Sequence, residues 1–469
     1  MKKNSLIRIL LGVILSVILS AALFAGCAGK SAYEIWLEQG NSGTISQWLD
    51  SHKGQSAYQL WLEQGNTGDE VAFLASLRVD DLSIEDLFSF YLTLYPDLSL
   101  DEAVGTFMSL LLKYQRDPIQ DVVQSALRNS VSVRAEFSIG RNEATGAGAG
   151  VIYSINRTTG TVIIITNYHV IHDRRNTATD SGVSANIRIA PYGREYFDDE
   201  DGGLDLSIPA MFIGGSISRD IALLQTSADI FKHSFYTAAE FADSNNLIVG
   251  QSVIAVGNPE GVGVSATSGI VNVDSEDIYM ESLSSANQRE RHRVLRVDAA
   301  INRGNSGGAV FDTSGKVVGI VNAKAVDNAI DNIGYAIPAN VADGIAQSVL
   351  DGVRRGNRFI KHIIGIQTNI IGSRGELVNG IVRIIEETAV LSVSPDTPAF
   401  KATPALQEGD VLVSAKLPNR EAIQITRNFM LSDYLYYARN NQVLVVRVLR
   451  EGTPVDISIT INSNNYNWL

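Results

Sequence analysis

Asp298-Ala-Ala-Ile-Asn-Arg-Gly304-Asn305-Ser306-Gly307-Gly308-Ala309 is the stretch from which the rest of the chain can be read. A serine with glycine close on both sides sits on a turn tight enough to expose its hydroxyl. The same glycines let the backbone approach a substrate carbonyl. Such a serine suits nucleophilic attack in acyl transfer, and the N–H groups of Gly304 and Ser306 are candidates to stabilise the oxyanion that forms. The competing reading is a glycine-rich surface turn without chemistry, and the motif alone does not separate the two.

Two stretches upstream weigh in. Thr161-Val-Ile-Ile-Ile-Thr-Asn-Tyr-His169-Val predicts an apolar strand that ends on a histidine. An imidazole held rigidly there suits general-base work, because its pKa lies near neutrality. His172 is the competing candidate, expected to be exposed past the strand's end, while His52, His233, His292 and His362 have no such context. Ser218-Arg-Asp220-Ile-Ala-Leu-Leu224 predicts a carboxylate just ahead of a buried strand. Placed there, it can accept the imidazole N–H and orient the ring. Asp205 is the alternative, ahead of a weaker strand, and a plain turn carboxylate is the bland reading. Together, His169, Asp220 and Ser306 follow the chain order of a chymotrypsin-type triad, not the subtilisin or α/β-hydrolase orders.

The 469 residues exceed one ordinary core, so two or three domains are expected. The formal net charge is −13, and it becomes more negative once Lys2, Lys3 and Arg8 are set aside with the first 26 residues. That balance argues against nucleic acid as a partner, since phosphate binding needs a basic field. No metal-ligand cluster or phosphate-binding loop is readable, so no metal and no cofactor is implied.

Residues 1–26 read as a signal peptide: a basic start, then an apolar run over 9–23 that is short for a membrane span. The run closes on Leu23-Phe24-Ala25-Gly26-Cys27, which resembles a bacterial lipobox with Cys27 as the lipidated residue. Cys27 is the sole cysteine, so no internal disulfide is possible. Two acyl chains on it would hold the protein on a membrane stably. A plain secretory signal or an uncleaved anchor is the alternative.

Residues 27–77 contain two short helical repeats, Ser31-Ala-Tyr-Glu-Ile-Trp-Leu-Glu-Gln-Gly-Asn41 and Ser56-Ala-Tyr-Gln-Leu-Trp-Leu-Glu-Gln-Gly-Asn66. Each opens with a capping box (Ser31 with Glu34, Ser56 with Gln59) and ends at a glycine. Units this small cannot bury their Tyr33-Trp36 and Tyr58-Trp61 faces alone, so they must stack on something. Residues 78–117 predict further helices, with start signals at Ser83/Asp86 and Ser99/Glu102 and a stop at Asp117-Pro118. Beyond Pro118 short β-rich runs such as 130–139 and 162–166 predict an all-β barrel domain.

At this point the chain resembles the HtrA/Deg family of trypsin-like serine proteases. Thr166-Asn-Tyr-His169-Val-Ile, Asp220-Ile-Ala-Leu-Leu, Val256-Gly-Asn-Pro259 with Gly261, Thr267-Ser-Gly-Ile-Val271, the 298–308 stretch, Gly319-Ile and Gly334-Tyr-Ala-Ile-Pro338 fall in the family's order. The resemblance covers residues 118–469. It implies a multidomain chain with a helical N-terminal region, then a chymotrypsin-like double β-barrel protease domain (118–356), then a PDZ-like α+β domain (357–469). It assigns His169 as base, Asp220 as its orienter, Ser306 as nucleophile, and Gly304, Asn305 and Ser306 N–H groups around the oxyanion. Ala300, with Ile301, is placed at the base of the specificity pocket, where the lack of charge predicts a small or medium aliphatic residue before the scissile bond. An acidic insert over 197–203 departs from the family's linker between base and carboxylate.

The PDZ resemblance rests on Ile363-Ile-Gly365-Ile366, Pro398-Ala-Phe-Lys-Ala, Leu406-Gln-Glu-Gly-Asp410-Val and Val443-Leu-Val-Val-Arg-Val. It implies a carboxylate loop at Ile363, Ile364, Gly365 and Ile366, a helix over 433–440 lining the groove, and capture of a peptide strand at a sheet edge. The function so implied is an exported, membrane-anchored serine endopeptidase acting on misfolded or partly unfolded envelope proteins, with a homo-trimer as the family's common assembly. The rival readings are a surface scaffold or holdase that uses the peptide groove, and a regulatory protease with one specific membrane target.

Overall fold

Strand residues that alternate between two apolar environments account for most of the structure. In the strand Thr161–Thr166 (β3), Val162 and Ile164 face one buried cluster, while Ile165 faces another with Ile163 packed against it. In Ile221–Ser227 (β6), Ala222 and Leu224 join the first cluster, Ile221 and Leu223 the second. Period-two alternation with both faces apolar means that the sheet is covered on both sides. One cluster is the interior of a closed barrel; the other is the seam between two barrels.

The computed structural model describes residues 88, 99, 102–108, 118–194, 206–258, 264–322, 333–353, 361–462 and 466–467. The signal segment, Cys27, both repeats, Asp205 and the acidic insert lie outside the described residues. The chain divides into two compact units, Met1–Asp117 and Pro118–Leu469. In the first, Ser99 and Glu102 form the expected capping box: Ser99 N–H donates to Glu102 Oε2 at 3.1 Å, and Glu102 N–H to Ser99 Oγ at 3.4 Å. Residues 102–108 follow as helix.

In the second unit, β1 (Ser130–Ile139), β2 (Asn142–Asn156), β3, β4 (Asn186–Pro191), β5 (Ile208–Ser216) and β6 close in the order β1-β2-β3-β6-β5-β4. A second barrel closes as β10-β11-β12-β9-β8-β7, from β7 (Ser252–Gly257), β8 (Ser265–Glu281), β9 (Arg289–Val297), β10 (Ala309–Asp312), β11 (Val317–Val321) and β12 (Gly334–Pro338). This is the trypsin-like double barrel. Two helices, α1 (Pro118–Leu127) and α2 (Ala339–Val353), send Val122, Ala126, Ile345 and Val349 into the seam cluster. Pro118 begins α1, where a missing N–H costs nothing.

The C-terminal domain holds a sheet in the order β14-β15-β16-β18-β19, from β14 (Ile366–Val378), β15 (Ile381–Val393), β16 (Val411–Lys416), β18 (Val443–Arg450) and β19 (Thr453–Thr460). Short β17 (Ile423–Gln424) pairs with β16, and β13 (Lys361–His362) with β20 (Tyr466–Asn467). A short helix α3 (Pro398–Lys401) precedes β16. Asp410, in the Gly-Asp-Val turn, is buried. Its carboxylate is satisfied by Arg450, at 2.8 and 2.7 Å, and by the Gln407 N–H.

The helix expected over 433–440 lies three residues earlier. It is α4 (Met430–Tyr434) continued by one 3-10 turn (Leu435–Tyr437), and Ala438 is already extended. Packing decides this boundary. Tyr436 is buried in the seam cluster, its Cβ standing where a side chain on Gly344 of α2 would have to go. Tyr437 donates to Asp343 Oδ2 of α2 at 2.9 Å, and Tyr153 of β2 donates to Asp343 Oδ1 at 2.7 Å. Arg427 pairs with Asp274 of β8 at 2.8 Å, and Arg293 of β9 pairs with Asp433. The C-terminal domain is thereby fastened to both barrels.

Candidate active site

His169 does not end the strand, as its sequence context predicts. β3 stops at Thr166, and His169 is the middle residue of a 3-10 turn, Tyr168–Val170. The turn is anchored by its neighbours: Asn167 Nδ2 donates to the Asp220 carbonyl at 2.9 Å, and Thr166 Oγ1 to the Ala149 carbonyl at 2.7 Å. Asp220 stands between another 3-10 turn, Ile217–Arg219, and β6. Its φ of +54° is a left-handed conformation that aspartate tolerates better than most residues.

These two elements of the first barrel and the Ser306 turn of the second meet at one point. His169 Nδ1 is 2.6 Å from Asp220 Oδ2, and His169 Nε2 is 2.9 Å from Ser306 Oγ. The His169 backbone N–H also donates to Asp220 Oδ1 at 2.8 Å. With a carboxylate on Nδ1, the network assigns the proton to that nitrogen and leaves Nε2 to accept from the serine hydroxyl. The Asp220 side chain is 2% exposed and that of His169 18%. Water is thus kept from the carboxylate while the ring stays reachable.

The glycines of the sequence motifs are close-approach positions. A Cβ on Gly257 would stand 2.7 Å from Asn305 Oδ1 and 2.8 Å from Asn305 Cα. One on Gly307 would stand 2.2 Å from the Ala149 carbonyl, and Gly307 has a φ of +85°. The Gly146-Ala-Gly-Ala-Gly150 run belongs to β2, which passes against the nucleophile turn: Ala149 N–H donates to the Ser306 carbonyl at 2.8 Å.

Two of the sequence assignments need correction. The Asn305 N–H donates to the Asn302 carbonyl at 3.1 Å, so the turn itself uses the donor expected near the oxyanion. Gly304 and Ser306 N–H have no backbone acceptor among the described residues and remain the candidates. Ile301 is 7% exposed and packs into the core of the second barrel, whereas Ala300 is exposed. Ile301 therefore supports the pocket from within and does not line it. His172 packs against Tyr168, with ring centroids 5.4 Å apart, and takes no part in the triad geometry. His292 and His362 are both buried.

The site also contains a residue that sequence reading missed. Asn322, fully buried just past β11, donates through Nδ2 to Asp220 Oδ2 at 2.9 Å. The available signal was a polar residue closing the apolar run Val317-Val-Gly-Ile-Val321, the same pattern, reversed, that singled out Asp220.

Residues 148–320 match the family described as a trypsin-like peptidase domain. The two barrels and the His169, Asp220 and Ser306 geometry are those of a trypsin-like peptidase domain. The chain is 29% identical over 332 residues to the serine protease Do-like HtrA of Bacillus subtilis (strain 168), covering 68% of this chain and 64% of that protein. It is 30% identical over 324 residues to the periplasmic pH-dependent serine endoprotease DegQ of Escherichia coli (strain K12), covering 68% and 60%. Among solved structures, the serine endoprotease from Yersinia pestis overlays with a TM-score of 0.40 at 26% identity, over 74% of this chain and 98% of that one. The chain spans between 50% and 66% of the length of the curated relatives it matches. The relatives it is similar to carry the names HtrA, DegS and DegQ, all serine proteases.

Proposed function

We propose that this chain is a serine endopeptidase that cuts extended segments of misfolded or partly unfolded proteins outside the cytoplasm. The observation that carries the reading is the position of His169, hydrogen-bonded at once to Asp220 and to Ser306. His169 removes the Ser306 proton as Oγ attacks the scissile carbonyl, and later delivers it to the leaving amine. Asp220 holds the ring in the required tautomer and stabilises the imidazolium. Gly304 and Ser306 N–H groups receive the oxyanion. Ala300, exposed and uncharged, favours a small or medium aliphatic residue before the cut.

Relatives named periplasmic endoproteases support export, and the lipobox-like sequence at Cys27 supports a lipid anchor on an envelope membrane. The C-terminal domain acts as a PDZ-like module for peptide strands. In its favour, Gly365 has a φ of +82°, and the Ile364 and Gly365 carbonyls accept from Ala399 and Ser394 N–H. That arrangement turns the carbonyls inward just before β14, whose outer edge is open among the described residues. Ile364 contributes backbone only, since its side chain is 2% exposed within the domain's core. Ile363 and Ile366 flank the peptide end. A homo-trimer is the assembly proposed for the barrels.

A fluorophosphonate probe tests the nucleophile. Covalent labelling of the wild-type chain, lost in Ser306→Ala along with cleavage of an unfolded protein, is the expected result. Residual peptidase activity in Ser306→Ala, or a wild-type Ser306 that stays unmodified, would reject the endopeptidase reading.

A further inference from the structure

β14 forms the edge of the C-terminal sheet and pairs with β15 alone among the described residues. Its hydrogen-bonding parity follows from the turn. Asn379 and Gly380, with φ of +51° and +79°, make a two-residue connection between the paired Val378 and Ile381. In such a hairpin the flanking residues exchange hydrogen bonds. Val378, Glu376 and Arg374 therefore direct their backbone groups toward β15, and Leu377, Gly375 and Ser373 direct theirs to the open edge. The register is unbroken from Gly372↔Glu387 to Val378↔Ile381, and its irregularity lies upstream, between Ile370 and Gly372.

An open edge is a template for another strand, and its charges decide which strand fits. Over 372–378 the only charged residues are Arg374 and Glu376, of opposite sign, with Gly375 between them. A second copy of this segment, antiparallel and centred on Gly375, sets glycine against glycine as a hydrogen-bonded pair. It also sets Arg374 against the second copy's Glu376 as a non-hydrogen-bonded pair, where side chains stand closest. Two-fold symmetry repeats the match, so the Arg374–Glu376 pair made within one strand at 3.0 Å, beside Arg374–Glu387 at 3.2 Å, is exchanged for two such pairs across the strands. Centring on Arg374 or on Glu376 would oppose like charges instead. The other face is apolar: Leu377, Val382 and Ile384 are 69%, 75% and 48% exposed. They surround Gly375, where a Cβ would meet nothing within 4 Å. Pairing brings both Leu377 side chains to that face, one on either side of the two glycines.

We propose that two copies of this chain associate through residues 372–378 of β14, antiparallel about Gly375, to form one continuous sheet. The residues upstream of the irregularity stay open for a peptide. This contact is independent of the catalytic reading and survives its failure.

The test uses the full chain in detergent, carrying Ser306→Ala to prevent self-digestion, and reads association by sedimentation and native mass spectrometry. The expected two-fold step is a doubling of mass above whatever unit the barrels form. Arg374→Glu alone and Glu376→Arg alone each oppose like charges twice, and each should weaken that step about tenfold. An equimolar mixture of the two variants should recover it, because one chain then offers two negative side chains where the other offers two positive. Both side chains are half-exposed, so unchanged thermal unfolding is expected and separates lost association from lost fold. A wild-type chain with no doubling step, single variants as strongly associated as wild type, or a mixture no tighter than its components would each overturn the proposal.

Discussion

Asn322 Nδ2 lies 2.9 Å from Asp220 Oδ2, the same oxygen that accepts the hydrogen bond from His169 Nδ1–H, with nitrogen and oxygen 2.6 Å apart. Asn322 is thus a positioning residue: it fixes the carboxylate that fixes the ring. Asn322→Ala should slow labelling of Ser306 about tenfold, equivalent to about 1.4 kcal/mol in the barrier. Asn322→Asp places a second negative charge beside the pair, which favours the imidazolium formed during the reaction. The acid limb of the pH–rate profile then moves to higher pH. An unmoved limb in that variant would show that Asn322 only fills space.

Gly257 has no room for a side chain, because Asn305 crosses it within 2.9 Å. Gly257→Ala should push the nucleophile turn away from β7 at a cost of about 1–3 kcal/mol. Labelling of Ser306 should fall while the barrels stay folded. Thermal unfolding followed alongside probe labelling checks both halves, and full labelling in that variant would contradict the geometry.

Tyr436 belongs to the C-terminal domain but is 2% exposed within the seam cluster of the protease barrels. Tyr436→Ala should remove about 3–5 kcal/mol from the docking of the two domains. Calorimetry should then resolve a separate transition for the C-terminal domain ahead of the barrels. Tyr437→Phe, which removes one of the tyrosine donors to Asp343, should cost about 1 kcal/mol.

His362 is 5% exposed, with Nδ1 unpartnered among the described residues. Burial, and then the positive charge of Arg439, hold its pKa below the ordinary 6.5, although it donates to the Asn462 carbonyl. The unfolded chain therefore binds a proton more readily than the folded one. The contribution of His362 to stability is fully present above pH 6.5, is lost as the pH falls through that value, and levels off below the lowered folded-state pKa. Denaturant midpoints measured between about pH 5 and 8 should show this slope, and His362→Gln should flatten it. An identical slope in His362→Gln would assign the effect to other groups.

Much of the site was legible because its chemistry needs particular residue types beside particular backbone. Ser306 among glycines and Asp220 ahead of an apolar strand are local patterns, and the structure brings both to His169. Less was legible where a residue's role depends on what crosses it. Ile301 reads as a pocket residue until the second barrel closes around it. The Asn305 N–H reads as free until the turn folds it onto Asn302. The last helix reads as 433–440 until Tyr436 is drawn into the seam, which sets the helical turns at 430–437.

By itself, the order of residues determined which side chains could act as nucleophile, base and carboxylate. It also determined where strands run, since hydrophobic alternation and glycine punctuation are properties of neighbours along the chain. Tertiary structure alone decided that Asn322 would reach Asp220 across 102 positions, and that one domain's tyrosine would complete another's core. It likewise decided that β14 would end a sheet, paired with β15 on one side and open on the other among the described residues. Contacts of this kind depend on how closed barrels and a docked domain meet in space, and no local periodicity encodes that meeting.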